Sequence, residues 1–516
     1  MKQEPLVLTF DMGTQSARAM LVNAQGEIVA KKQKQYEQPY FSLHPGWAEQ
    51  KPEFYWNAVC ETSRSLKADN EAYWKDIVAV TCTTIRDTCL CVDKDGNPLR
   101  DVILWLDKRE ATELGELPFV NSLLFSLVQQ KNAVEVIRAQ SACNWIAKNE
   151  KEIWDKTWKF IFLSAYFTFK FCNNLVDSSA NIIGHIPFDV KNRIWAKPND
   201  IKRSVFSLTD DKFCDLVEPG ETMGTITAQA SQETGIPEGL PVIASGADKG
   251  CETLALTCLH EDSAALSFGT IATIEISTDQ YFEATPFIPP FPAVLKKFNP
   301  EVEIYRGYWL VSWFKKEFAA LETLRAQELG VSVEKLLDEQ LDNIPPGCDG
   351  LLLQPTFTPG ATQPHARGVM IGFSEIHTRM HIYRAIIEGI NYGLMEGMYL
   401  MEKKGKLKVG KLFVAGGGAQ SPQVCQITAN MFGLPVYRIH THEACGVGSS
   451  LVAFKANGTF DSYEEAAKAM VHIKDEFQPD MKVHQIYKDI YNRVYSKLFG
   501  SLAQYYKDID DMFLRA

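Results

Sequence analysis

The sequence predicts an α/β protein whose two lobes repeat one core. Three observations support this. The chain has 516 residues, more than a single hydrophobic core usually serves. A strand, a glycine turn and a second strand run from Leu6 to Val22, and the same order recurs from Ala264 to Ser277. Three glycine-rich segments stand far apart: Asp11-Met12-Gly13-Thr14-Gln15-Ser16, Ser267-Phe268-Gly269-Thr270 and Ala415-Gly416-Gly417-Gly418-Ala419. Between the first two lies Gly246-Ala247-Asp248-Lys249-Gly250.

Taken in order, Leu6 to Phe10 reads as a buried strand, Asp11 to Thr14 as a turn and Ala17 to Val22 as the returning strand. Asn23 to Gly26 is a second turn and Glu27 to Lys31 a third strand, which makes an antiparallel meander. Pro52 opens a helix running to Leu66, since proline suits the first helical position. Ile77 to Thr83, Cys89 to Val92 and Val102 to Trp105 return to strand, and residues from about 121 to 170 carry helical periodicity. Pro241 to Ser245 is a buried strand. Asp248 sits just past its end, and a helix follows to about Leu259. Pro286 to Pro292 reads as a loop of the second lobe. Lys411 to Ala415 is a strand and Ser421 to Phe432 a helix. Glu443 to Lys455 is a helix whose small residues permit close backbone approach, and surface helices follow from about Ser462. The lobes are expected at 1–258 and 259–516.

Composition narrows the function. A net charge of −11 argues against a nucleic-acid footprint, which needs clustered Lys and Arg. The twelve cysteines show no C-x-x-C pair, so reduced, mostly buried thiols are expected. The ten histidines offer no metal-ligand spacing, and His440-x-His442 reads as a solvated strand end. No apolar run reaches the roughly 20 residues that span a bilayer, and no signal-peptide layout is visible, so a cytoplasmic enzyme is expected.

The chemistry lies in the loops. Backbone N–H groups cradle phosphate where glycine lets the chain turn tightly. Gly13, Thr14, Gln15 and Ser16 are candidates from one lobe, and Gly269 and Thr270 from the other. Asp11 is a candidate Mg2+ ligand, with Asp248 beside it, because hard cations take carboxylate and phosphate oxygens. Gly416, Gly417 and Gly418 would present bare backbone to a base or ribose, with Gln420 or Ser421 as hydrogen-bonding neighbours. The dinucleotide spacing G-x-G-x-x-G is missing there. Asp248, aimed from a strand's carboxyl end, is the candidate catalytic base for a hydroxyl that attacks phosphorus. Arg86, Asp87, Trp105 and Lys249 are candidates for holding a small polyhydroxylated ligand: the acid accepts from hydroxyls, the cations donate and the indole covers C–H faces.

At these residues the chain resembles the FGGY carbohydrate kinases, over roughly Leu6 to Gly458. The opening DMGTQS resembles the family's D-x-G-T-x-S loop, and Gly46-Trp47-Ala48-Glu49-Gln50 its G-W-x-E-Q segment. Gly368 to Glu388 resembles the second signature; Gly416 to Ala419, Ser421 and Gln426 resemble the adenosine motif, continued by Gly433-Leu434-Pro435-Val436. The resemblance implies two ribonuclease H-like domains of the actin and hexokinase type with an interdomain active-site cleft. It implies ATP and Mg2+ as cofactors, Asp248 as base, Asp11 as the magnesium-linked acid, and Thr14, Gly269 and Thr270 as phosphate contacts. It places Gly417 and Gly418 at the adenosine. The acceptor expected first is a pentulose such as xylulose or a related ketose. Thr84-Ile85-Arg86-Asp87 stands where xylulokinases usually carry Q-M-H-G, and an Arg–acid pair is closer to glycerol kinases, so glycerol or a short polyol is the alternative. A non-kinase ATPase of the actin and chaperone superfold is the alternative of another class. Family members are often homodimers, which is the assembly the resemblance suggests.

Overall fold

A computed structural model describes residues 4–127, 131–285, 288–359, 363 and 365–513. The chain forms two compact units, each with its own six-stranded sheet. The first unit comprises residues 1–257, 291–299 and 443–471, and the second 258–290, 300–442 and 472–516. Two later segments, 291–299 and 443–471, thus pack with the first unit.

In the first unit, β1 (Leu6–Met12), β2 (Ser16–Asn23) and β3 (Ile28–Gln35) form the expected meander. β4 (Ile77–Thr84) pairs parallel with β1, β5 (Thr222–Thr225) lies at the far edge, and β6 (Pro241–Ile243) pairs parallel with β4. β1 is buried along its whole length, as a central strand covered on both faces must be. β3 is the opposite edge; it carries Lys31, Lys32 and Lys34, which pair with Glu443, Asp69 and Glu61. Charge on an edge strand discourages pairing with another chain.

α1 (Pro52–Asp69) covers the sheet with Tyr55, Trp56, Val59 and Leu66. α2 (Asp248–Ala255) follows the carboxyl end of β6 and stops before the left-handed Thr257, short of Leu259. The helix Ala444–Ala456 packs close to it: a Cβ on Gly448 would lie 2.0 Å from the Cys251 carbonyl oxygen. Its Ser450 and Ser449 hydroxyls meet Thr9 and Thr81 at 2.6 and 2.9 Å. The small residues thus serve the close approach that the sequence suggested.

The second unit repeats the sheet. β7 (Ser263–Phe268), β8 (Ala272–Ile276) and β9 (Glu301–Ile304) form the meander. β10 (Lys411–Ala415) and β11 (Val436–Ile439) continue it in parallel, and β12 (Ile473–Phe477) closes the edge antiparallel. The two strand orders, β3-β2-β1-β4-β6-β5 and β9-β8-β7-β10-β11-β12, match strand for strand in direction. α3 (Arg379–Gly405) crosses the second sheet. It can do so because Gly389, Gly393 and Gly397 line one face at helical spacing. A Cβ there would come within 2.4 Å of the Leu353 oxygen, 2.7 Å of Ile304 and 2.8 Å of Val302. α4 (Pro422–Phe432) starts at Ser421, whose hydroxyl accepts from Val424 N–H at 3.3 Å.

Three local expectations are corrected. The span expected to be helical contains the strand Lys159–Phe162, paired with Cys89–Val92, and residues 128–130 lie outside the described ones. The expected loop Pro286 to Pro292 ends in a strand, Phe291–Pro292, paired with Phe298–Asn299, and this piece belongs to the first unit. Residues 286 and 287 lie outside the described ones. The tail expected as surface helices also supplies β12. The described cysteines are all free thiols, and no described helix is long and apolar enough to cross a membrane.

Candidate active site

The first unit's site begins at the β1–β2 hairpin. Its turn closes with Gly13 N–H donating to the Ser16 carbonyl at 3.0 Å. Asp11, the penultimate residue of β1, is buried and accepts from Arg18 Nη1 at 2.8 Å. Arg18 also faces Glu443 at 3.3 Å. Burial pushes the Asp11 carboxyl up to about 6; Arg18 opposes the shift and the negative charge of Asp248 adds to it. Thr14 Oγ1 accepts from the Trp105 indole N–H at 2.9 Å, so its own proton stays available to a ligand. The Ser16 hydroxyl is buried and takes a hydrogen bond from Gln33 at 3.2 Å; Gln15 is exposed, and its carbonyl accepts from Tyr36 N–H at 2.9 Å.

Asp248 is the first residue of α2 and half-buried. Burial raises its proton affinity, while the cations Arg86 and Lys249 and the Lys249 N–H, donating at 2.8 Å, pull it back. Burial would strip the Lys249 ammonium of its proton. Glu252, at 3.0 Å, and Asp248 reverse this and hold it charged. The backbone before Asp248 is fixed by Thr83 Oγ1, which donates to the Gly246 carbonyl at 2.9 Å. A Cβ on Gly246 would lie 2.6 Å from Val294, so the Phe291–Asn299 piece packs directly on the approach to Asp248.

Arg86 and Asp87 follow β4. The Arg86 guanidinium lies over the Phe291 ring, 4.4 Å from its centre, and its charge acts on Asp248. Asp87 adopts a left-handed backbone, φ 47°, and its Oδ2 lies 3.4 Å from His185 Nδ1. Trp105, 40% exposed, is tied to this loop through Thr88, whose hydroxyl accepts from Trp105 N–H at 3.3 Å and donates to the Arg86 carbonyl at 3.1 Å. Behind Trp105, the Arg109 guanidinium sits over Trp47 and Trp145, 4.0 and 4.6 Å from the ring centres. It pairs with Glu49 at 3.0 Å and Asp107 at 2.8 Å. The Gly46-to-Gln50 segment, buried from Ala48 to Gln50, thus anchors the Trp105 loop, and Arg109 is committed to it.

The second unit brings its two glycine loops together. Gly269 and Thr270 turn between β7 and β8, and their carbonyls accept from Tyr308 and Trp309 N–H at 3.0 and 3.4 Å. Gly416 is left-handed, φ 86°, and a Cβ there would come within 2.8 Å of the Phe268 backbone. A Cβ on Gly418 would meet the Tyr308 ring at 2.1 Å, whereas around Gly417 nothing lies within 4 Å. Arg438 fixes the following turn by donating to the Ala419 and Gln420 carbonyls at 3.0 and 2.7 Å. The Arg384–Glu388 pair of the second signature is a buried staple at 2.8 Å and lines no loop of the site.

Of the residues expected from sequence, Asp11, Thr14, Arg86, Asp87, Trp105, Asp248 and Lys249 converge in the first unit, and Gly269, Thr270, Gly416, Gly417, Gly418 and Ser421 lie in the second. Sequence reasoning missed Arg18, Gly184, His185, Phe291 and Glu443. Arg18 alone left a visible trace, as the one charged residue of β2. Two carboxylates that hold protons too tightly suit a divalent cation, which would relieve both. Among the described residues no group of three or more His, Cys, Asp or Glu side chains converges, so Mg2+ would need phosphate and water for its remaining ligands.

Models of the FGGY family of carbohydrate kinases match residues 6–255 with the N-terminal domain and residues 264–457 with the C-terminal domain. A xylulose kinase of Bacillus subtilis is 28% identical over 95% of this chain and 96% of its own length. A xylulose kinase of Lactococcus lactis is 25% identical over 97% of this chain and 99% of its own. Among solved structures, the gluconate kinase of Lactobacillus acidophilus superposes with a TM-score of 0.83 at 19% identity, covering 98% of this chain and 100% of its own. That last likeness shows the fold.

Proposed function

Because the chain belongs to the FGGY family of carbohydrate kinases, we propose that it transfers the γ-phosphoryl group of ATP to a primary hydroxyl of a small sugar, with a pentulose such as xylulose or a related ketose as acceptor. The observation that carries the reaction is Asp248. It stands at the start of a helix with raised proton affinity, in the field of Arg86 and close enough to Asp11 for their charges to interact. A carboxylate so placed takes a hydroxyl proton more readily than one in water. Arg86, Asp87 and Trp105 orient the acceptor. Thr14, Gln15, Ser16, Gly269 and Thr270 bind phosphate, and Gly416, Gly417, Gly418 and Ser421 bind adenosine. Asp11 and Asp248 would hold Mg2+, which when bound neutralises charge on the phosphates. The xylulose kinases among the relatives support the choice of acceptor.

One observation favours a second reading. The Arg86–Asp87 pair presents a cation and an anion, which suits the vicinal hydroxyls of glycerol or another short polyol as well as those of a ketose.

Coupled ADP release over a panel of ketoses, aldoses, polyols and sugar acids at fixed Mg-ATP tests both. One strong pentulose responder supports the first reading, and glycerol the second. Asp248→Asn should lower kcat by roughly 10²–10⁴-fold and leave ATP binding intact; full acceptor-dependent turnover by that variant would remove Asp248 from the mechanism.

A further inference from the structure

The geometry points to His185 as a positioning residue that fixes the Asp87 carboxylate as a hydrogen-bond acceptor for the substrate's hydroxyls, an inference that rests on the kinase reading above. Asp87 is a non-glycine residue on a left-handed backbone, φ 47°. Such a conformation persists only where surrounding groups over-determine it, and it gathers at functional sites. Two neighbours hold it. His185 Nδ1 lies 3.4 Å from Asp87 Oδ2. Gly184, φ 148°, lies so close that a Cβ would stand 2.2 Å from Asp87 Oδ1 and 2.8 Å from its Cγ. Any side chain at position 184 would therefore displace the carboxylate.

The loop that carries this pair is itself tethered, since the Ser141 hydroxyl donates to the His185 carbonyl at 2.9 Å. Asp87 is the charged group that acts on His185. Burial disfavours the imidazolium, but the ion pair with Asp87 outweighs it and raises the proton affinity of the ring. One oxygen of Asp87 is thus engaged by His185. Carboxylate oxygens accept, so they select donors, and the hydroxyls of a ketose or polyol supply them. The opposite side of the same loop is set separately by Arg86 on Phe291. His185 does not touch the transferring atoms, so its loss should appear in acceptor affinity rather than in the chemical step.

The test compares His185→Ala with His185→Asn, whose amide nitrogen can take the place of Nδ1, using the acceptor found by the panel. The alanine variant should raise acceptor KM roughly tenfold or more, the effect of losing a hydrogen bond to a charged group. Its kcat, ATP KM and thermal midpoint should stay near those of the wild type, and the asparagine variant should recover most of the loss. An unchanged acceptor KM in His185→Ala, or equal impairment in both variants, overturns the inference. So does a parallel rise in ATP KM. A second readout needs no turnover: the imidazole titration of His185, followed by NMR, should move to lower pH in Asp87→Asn. An unmoved titration overturns the pairing. An empty panel counts against the kinase reading itself, while the titration still decides whether His185 holds Asp87.

Discussion

Alanine at Gly416, Gly417 and Gly418 in turn should separate stability from nucleotide affinity within one loop. Gly416 is left-handed, and its Cβ would sit 2.8 Å from the Phe268 carbonyl carbon and 2.9 Å from the oxygen. With ψ 178°, this positive φ lies in a region essentially only glycine adopts and costs about 1–3 kcal/mol for an L-residue, and forcing a strand backbone aside costs about 1–3 kcal/mol more. Gly416→Ala should therefore lose about 2 kcal/mol or more. Gly418→Ala should lose about 1–3 kcal/mol, because the Tyr308 ring, 2.1 Å from the new methyl, has to move. Gly417 differs from both: it begins the short helical turn Gly417–Gln420, has no positive φ, and has nothing within 4 Å of its Cβ position. Its alanine variant should keep stability within about 0.5 kcal/mol of wild type. If the bare face of Gly417 lies on the nucleotide, the same methyl should weaken ATP binding about tenfold, or about 1.4 kcal/mol. Thermal midpoints without ligand and ATP titration calorimetry measure the two quantities. A Gly417→Ala protein that binds ATP like the wild type refutes the adenosine assignment, and an unchanged midpoint in Gly416→Ala refutes the steric argument.

Two further outcomes follow from buried charge. Arg384 donates to Glu388, to the Leu341 and Ile344 carbonyls and to the Tyr487 hydroxyl, all within 2.9 Å, and Glu388 is 2% exposed. Arg384→Met leaves that carboxylate buried without its cation and should cost about 3–5 kcal/mol. Arg384→Met with Glu388→Leu should cost less than the sum of the single changes in denaturant titrations. The second outcome concerns pH. Asp11 must be ionised to serve a cation, and burial pushes its carboxyl up to about 6. The acid limb of kcat/KM should therefore rise through that region. Arg18 lowers the Asp11 value, so Arg18→Met should move the limb upward by about half a unit or more. A limb that stays in place or moves down contradicts the assignment.

How far the sequence could be read depended on the range of the interactions involved. The two hairpins were legible because their turn chemistry is local: Gly13 with Thr14, and Gly269 with Thr270, sit between apolar runs. The strand Lys159–Phe162 was not, because four residues with a short apolar run beside helices give no period to separate them from those helices. The recruitment of 291–299 to the first unit was equally hidden. It rests on contacts such as Arg193 Nη1 donating to the Ala293 carbonyl at 2.9 Å and Val294 filling the space over Gly246. The Asp248 and glycine-loop candidates came from residue type and strand position, which one chain suffices to show. Arg18 stands directly opposite Asp11 in the β1–β2 pairing, which hairpin register could have shown, whereas Glu443 acts on Asp11 from a distant segment that no spacing rule links to it.

The same distinction bears on acceptor choice. Arg86 and Asp87 are adjacent in sequence, but what each can do is set elsewhere: Arg86 by Phe291, Asp87 by Gly184 and His185. A carboxylate in a strained backbone without its imidazole would be free to turn, and would then discriminate poorly among hydroxyl patterns. Moving Arg86–Asp87 alone into a related kinase should therefore transfer little specificity. Moving it together with Gly184–His185 and Phe291 should transfer more, since the three segments form one physical unit. On the proposed assignment, acceptor specificity should follow three distant segments together, and comparison of the short loop after β4 by itself should misassign it.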